Sequence, residues 1–211
     1  MEKEKEKFPR SDAEKLAQQL KSASGYNLAS FCERWEIAGS IRRKKAFVSD
    51  VEVVYIARMV PKKSASTSQQ DFGFIPSEVG KVSALKEELD ALIERGILEK
   101  RIFKKGKTMY GQHLQFVRHV ETGIPIDFFA CCHETWHTTM VSRTGPKALN
   151  TELATRANTQ GYNWNPGGKG FTKMSDESVV VPVSSEEEAF QFVGLPCLPP
   201  EERALLINEE A

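Results

Sequence analysis

The apolar positions of the chain change period several times, and each change predicts an element. Ala13, Leu16, Leu20 and Ala23 recur at helical spacing behind Ser11 and Glu14, a capping-box pair, so a helix is expected over about 12–23, stopping near Gly25. FCERWEI at 31–37 alternates as a strand that ends at Gly39-Ser40, and VEVVYIA at 51–57 is the β-branched, apolar run of a central strand. KKSASTSQQ at 62–70, small and polar, predicts a mobile loop. Leu85, Leu89, Leu92 and Ile93 then share one face of a helix that opens at Ser83 and stops at Gly96. The short β runs RIFKK, TMYGQHLQFVRHV and IPIDFFA follow, with turns at Gly106 and Gly123. The last third carries helical spacing in PKALNTELATRANTQG, a Gly/Asn-rich turn in NWNPGGKG and a strand at Val179–Val183. A short helix capped by Ser185 and Glu188 follows, stopping at Gly194.

There is no internal repeat. The order of elements predicts an α/β (α+β) fold, a mixed β-sheet backed by helices, with a small C-terminal α/β subdomain. The expected division is a flexible N-terminus at 1–10, a main domain at 11–142 and the subdomain at 143–211.

Composition narrows the class. A chain of 211 residues with 40% apolar content can bury one substantial core, and it contains no run of about 18 apolar residues, so no membrane partner is expected. MEKEKEKFPR lacks the apolar centre of a secretory signal, and the four cysteines, two of them adjacent, suit reduced thiols; both point to the cytoplasm. Of 29 basic and 29 acidic residues, nine acids but only one base, Arg203, fall at 175–211. The first 174 residues are left with 28 bases and 20 acids, a net +8. That surplus is compatible with a polyphosphate or nucleic-acid partner, as well as with a solvated lysine-rich face.

The candidate chemistry lies in GSIRRKKAFVSDVE at 39–52. On a strand, residues two apart share a face, so Asp50 and Glu52 would present two carboxylates together. Alone, D-x-E suits the wet face of an edge strand. Three features argue for more. Gly39-Ser40 permits close backbone approach and anion binding; Arg42, Arg43, Lys44 and Lys45 follow it; and Asp127 stands in the otherwise apolar IPIDFFA, where an uncompensated carboxylate is costly. Three carboxylates beside an anion-binding turn suit Mg²⁺, with Mn²⁺ as the alternative, and phosphoryl or nucleotidyl transfer.

G-S-x-R-R followed by D-x-[DE], with a third Asp on a later strand, resembles the nucleotidyltransferase superfamily, and in particular the family X DNA polymerases typified by DNA polymerase beta. KGKTMYGQ at 105–112 and the spacing of Asp127, Gly145, Asn150 and Gly161 extend the likeness from about Phe8 to Arg203. The resemblance implies a palm domain at 11–142 and a nucleotide- and DNA-binding subdomain after it, without lyase or helix-hairpin-helix domains. It implies that Asp50, Glu52 and Asp127 are the metal ligands and catalytic residues. By the same likeness Gly39, Ser40 and Arg43 cradle phosphates, Thr144 and Gly145 lie beneath the sugar, and Asn150 contacts the base. The implied partners are a nucleoside triphosphate and a DNA primer/template or gapped DNA. The implied reaction adds a nucleoside monophosphate to a 3′-hydroxyl with release of pyrophosphate, in repair or gap filling, by a monomer. A nucleotidyltransferase acting on tRNA, protein or a small molecule, and a non-catalytic nucleotide-binding module, are the alternatives.

The chain departs from the polymerase pattern at Glu52 (usually Asp), Ser142-Arg143 (usually Tyr-Phe), Ala154 (often Arg) and Lys147 (a small acidic contact). The second departure implies weak rejection of ribonucleotides. Lys100, Arg101, Lys104, Lys105 and Lys107 are the candidate DNA grip. Cys131, Cys132, His133 and His137 lack the bite of a zinc site, and Trp136 and Trp164 suit packing between subdomains.

Overall fold

The structure, a computed structural model, describes residues 6–61, 81–165 and 169–207. In chain order its regular elements begin with β1 (Phe8–Pro9), α1 (Arg10–Lys21), β2 (Cys32–Ile37), α2 (Gly39–Arg42), β3 (Phe47–Val48), β4 (Val51–Ala57), β5 (Met59–Pro61), β6 (Lys81–Ser83) and α3 (Ala84–Glu94). They continue with β7 (Leu98–Lys100), β8 (Leu114–His119), β9 (Pro125–Ala130), α4 (Trp136–Thr144), α5 (Lys147–Thr159), β10 (Tyr162–Asn165), β11 (Gly170–Lys173), β12 (Asp176–Val181) and α6 (Glu186–Phe192).

Five strands form the main sheet in the order β2-β4-β9-β8-β7. β4 and β9 pair in parallel at its centre, and the remaining neighbours are antiparallel. Alternation splits the central strands into two faces. Val51, Val53, Tyr55, Ile126 and Phe128 point to one side. There they are buried with Ala13, Leu16 and Leu20 of α1 and Leu85, Leu89 and Leu92 of α3. Each Val, Ile, Leu or Phe among them that is removed from water contributes about 1.5–3 kcal/mol. Val54, Ile56 and Phe129 point to the other side, against Trp136 and Met140 of α4. The site lies on that second face, beside α4.

The C-terminal region has its own core. Leu149, Leu153 and Ala157 of α5 pack with Phe171 of β11, and with Ala189 and Phe190 of α6. A three-stranded antiparallel sheet, β10-β11-β12, covers it. Among the described residues, no helix is long and apolar enough to cross a membrane.

Several expectations are corrected in detail. Ser11 does not cap α1; the helix begins two residues earlier, at Arg10 after Pro9, because Phe8 and Pro9 pair with Val48 and Phe47, and Arg10 N–H donates to the Ala46 carbonyl. The first strand thus falls within the 1–10 segment, of which residues 1–5 lie outside the described residues. The loop expected at 62–70 also lies outside them. RIFKK and TMYGQ do not pair as continuous strands. Single bridges, Ile102 with Thr108 and Tyr110 with Gln115, flank a 3₁₀ turn at Lys104–Gly106. NWNPGGKG is not a bare turn, since it contributes to the β10–β11 hairpin, in which Trp164 pairs with Phe171. The cap of α3 is as read: the Ser83 hydroxyl accepts from Lys86 N–H at 3.2 Å.

Candidate active site

Strand register brings the carboxylates together. Glu52 and Asp127 are direct partners in the parallel β4–β9 ladder, and Asp127 is in turn the partner of Phe116 on β8. Asp50 sits in the turn immediately before β4. All three line one cavity of about 440 Å³, together with Ser40, Arg43, Gly145 and Asn150.

Gly39 serves this geometry at close range. Its φ is +62°, and a Cβ added there would lie 1.8 Å from Glu52 Oε2, so only glycine lets the first turn of α2 rest on that carboxylate. Glu52 fills the space that glycine leaves there, and Ser40 is the member of the turn that lines the cavity.

Burial first, and then the charges of Asp50 and Asp127, push the Glu52 carboxyl up to about 8 against the opposing pull of Arg143 and Arg43. Hard oxygen donors crowded to the point of mutual repulsion fit a divalent cation in kind and in place. Among the described residues, however, no three His, Cys, Asp or Glu side chains stand as a closed metal cage. Asp127 is engaged instead by the Arg101 guanidinium. Arg101 reaches it because its N–H donates to the Phe116 carbonyl at 3.0 Å, which extends the row Glu52–Asp127–Phe116 by one position. Phe103 and Phe116 lie under its guanidinium, at 5.1 and 5.6 Å. Arg101 thus belongs to the carboxylate cluster rather than to the exposed basic run in which the sequence placed it.

The remaining candidates divide by exposure. Arg43 donates to the Thr144 carbonyl; burial lowers its pKa, and Glu52 and Asp50 oppose that. Thr144 is fully buried, with its hydroxyl accepting from Arg42 Nη1 at 2.7 Å, so Gly145 is the part of the Thr-Gly turn that faces the cavity. Asn150 Nδ2 donates to the Ser142 carbonyl at 2.7 Å, and its buried Oδ1 has no hydrogen-bond partner.

Arg143, noted in the sequence only as a departure, also lines the cavity, as do Lys7, Ser49 and Lys147. Their place follows from packing, for which the sequence carried no separate signal. The Cys/His group disperses: Cys131 Sγ–H donates to the Tyr55 carbonyl and His133 pairs with Glu33. Trp136 is buried under Arg34, and Trp164 packs at 4.5 Å from Phe171.

A second set of contacts joins the site to the C-terminal core. Glu186, the first residue of α6, takes Arg42 Nη2 at 2.6 Å on one oxygen, and Arg42 Nη1 at 3.1 Å and Arg203 Nη2 at 2.6 Å on the other. Lys44 pairs with Glu201. Residues 139–204 of this region match the family model described as DNA polymerase beta thumb.

The chain is thus polymerase beta thumb-like over that region. Its fold is shared with a polymerase beta from Leishmania infantum, solved as a ternary gap complex, with a TM-score of 0.63 and 19% sequence identity. The match covers 94% of this chain and 71% of that one. At that identity the likeness speaks for the fold, the mixed five-stranded sheet included. No curated protein matches the sequence.

Proposed function

We propose that this polymerase beta-like chain is a DNA nucleotidyltransferase, adding nucleoside monophosphates from NTPs or dNTPs to a 3′-hydroxyl with release of pyrophosphate, in gap filling or repair. One observation carries the reading. Glu52 and Asp127 face each other across the central ladder, with Asp50 beside them, in a cavity that also holds Ser40, Arg43, Gly145 and Asn150.

Asp50, Glu52 and Asp127 would hold Mg²⁺, or Mn²⁺. Bound there, the metal would supply Lewis-acid neutralisation of the phosphate oxygens. Ser40 and Arg43 bind and orient the anionic triphosphate. The orphan Oδ1 of Asn150 offers an acceptor to the base, and the Asp127 carboxylate accepts a hydrogen bond from the attacking hydroxyl. The 3′-oxygen gives its proton to the Asp127 carboxylate and forms a bond to the α-phosphorus while the bond to the bridging oxygen breaks, and pyrophosphate leaves with that electron pair. Holding these groups in line is the main source of rate. Lys105 and Lys107, exposed on the turn after β7, and Lys100, 4.5 Å over the Tyr110 ring, are the residues left to grip a DNA backbone.

Primer extension on gapped DNA with Mg²⁺ or Mn²⁺ tests the reading, with Asp127→Asn as control. Extension by the parent chain and its loss in the variant supports it. Transfer to other acceptors only would favour a different nucleotidyltransferase, nucleotide binding without turnover would favour a binding module, and unimpaired extension by Asp127→Asn would remove the assigned role of that residue.

A further inference from the structure

Arg143 sits in the last turn of α4, its guanidinium carbon 3.9 Å from the centroid of the Phe129 ring. Phe129 is two residues beyond Asp127 on β9, so it shares the face that carries Asp127 and Glu52. Stacking occupies the flat face of a guanidinium and leaves its N–H edge for other partners. The same cavity is lined by Arg143, Glu52 and Asp127. Of the other arginines here, Arg43 is tied to the Thr144 carbonyl and Arg101 to Asp127.

We propose that Arg143 is a resident counter-cation of the Glu52–Asp127 pair, a positioning residue that sets how tightly these carboxylates take a divalent cation. The proposal rests on the metal-binding role assigned above to the three carboxylates.

The shared cavity supports it besides the stack, and the two charges that resist the burial-driven fall of the Arg143 pKa are those of Glu52 and Asp127. A group that neutralises a buried carboxylate pair and a divalent ion that does the same compete for one electrostatic role, because each is repelled by the other. Arg143 thus adds to the Arg101–Asp127 ion pair in neutralising these carboxylates in the metal-free chain, at the cost of metal affinity.

The test is direct binding of Mn²⁺ to the full chain without nucleotide or DNA, read from the electron paramagnetic resonance signal of free Mn²⁺, for the parent, Arg143→Gln, Arg143→Lys and Asp127→Asn. Arg143→Gln is expected to bind about tenfold tighter at low salt, the gain shrinking as salt rises, while Arg143→Lys stays near the parent. Melting temperature gives a second readout. Arg143→Gln should melt lower than the parent without Mn²⁺ and regain the difference when saturated, whereas a merely structural role would lower both values alike.

Unchanged or weaker Mn²⁺ binding in Arg143→Gln, with binding still lost in Asp127→Asn, overturns the proposal and leaves the metal site standing. Absence of Mn²⁺ binding in the parent and in Arg143→Gln overturns both.

Discussion

Glu186 is the most exacting point at which to test the way the C-terminal region is fastened to the sheet. Its carboxylate serves two arginines of unequal exposure: the Arg203 side chain is 2% exposed and the Arg42 side chain 27%. Arg203 Nη1 is already buried without a partner, so Glu186→Ala would leave a guanidinium charge in the core with its Nε–H···O=C bond to Leu198 and its stack over Phe190. Breaking one side of a buried pair costs about 3–5 kcal/mol, and this site belongs at the lower end, about 3 kcal/mol, because the carboxylate is itself 17% exposed. Water can reach Arg42, so its share adds only about 1 kcal/mol. A total near 4 kcal/mol lowers the melting temperature of a chain this size by roughly 8–16 °C.

Burial alone would raise the Glu186 carboxyl, but hydrogen bonds from Arg42 and Arg203 outweigh it and hold the pKa below the usual range. A depressed folded-state pKa means that the unfolded chain binds the proton first. The stabilisation is therefore complete above the ordinary value of about 4.3 and is lost as pH falls through the lower folded value. Urea unfolding of the parent, Glu186→Ala and the pair Glu186→Ala with Arg203→Met, at neutral pH and between about pH 3 and 5, reads each of these effects. The parent should lose more stability in acid than Glu186→Ala does, and the double variant should recover part of the single loss. A loss below about 1 kcal/mol in Glu186→Ala, or a double variant no better than the single one, would refute the reasoning.

Other substitutions probe the site and the core. Gly39→Ala forces a Cβ to 1.8 Å from Glu52 Oε2 at a positive φ, so both melting temperature and primer extension should fall; a variant that retains both would show that the close approach is dispensable. Leu89→Ala, at a fully buried position of α3, should cost about 2–5 kcal/mol in urea unfolding. Ser83→Ala removes the cap on Lys86 N–H and should cost about 1 kcal/mol by the same measurement. With Ser142-Arg143 before the Thr-Gly turn, side-by-side incorporation assays should show weak discrimination against ribonucleotides, and a strong deoxynucleotide preference would count against that reading.

The sequence by itself determined what local chemistry determines. The β-branched run at 51–57 could be little other than a central strand, Ser83 and Ser185 mark helix starts because their hydroxyls satisfy free N–H groups, and Gly96 and Gly194 stop helices at positive φ. The D-x-E pair and a lone aspartate in an apolar strand were visible because a carboxylate in such company needs a reason.

Only the tertiary structure decided how distant segments meet. The parallel register that sets Glu52 against Asp127 is made by strands 75 residues apart, and nothing in either strand encodes its partner's alignment. Nor could local pattern show that Arg101 would turn inward along that row while Lys105 stayed outside, that Arg143 would stack beside the carboxylates, or that Arg42, Glu186 and Arg203 would meet. Long charged side chains look alike in sequence; what separates a solvated one from a buried counter-ion is the charge across the fold that it finds.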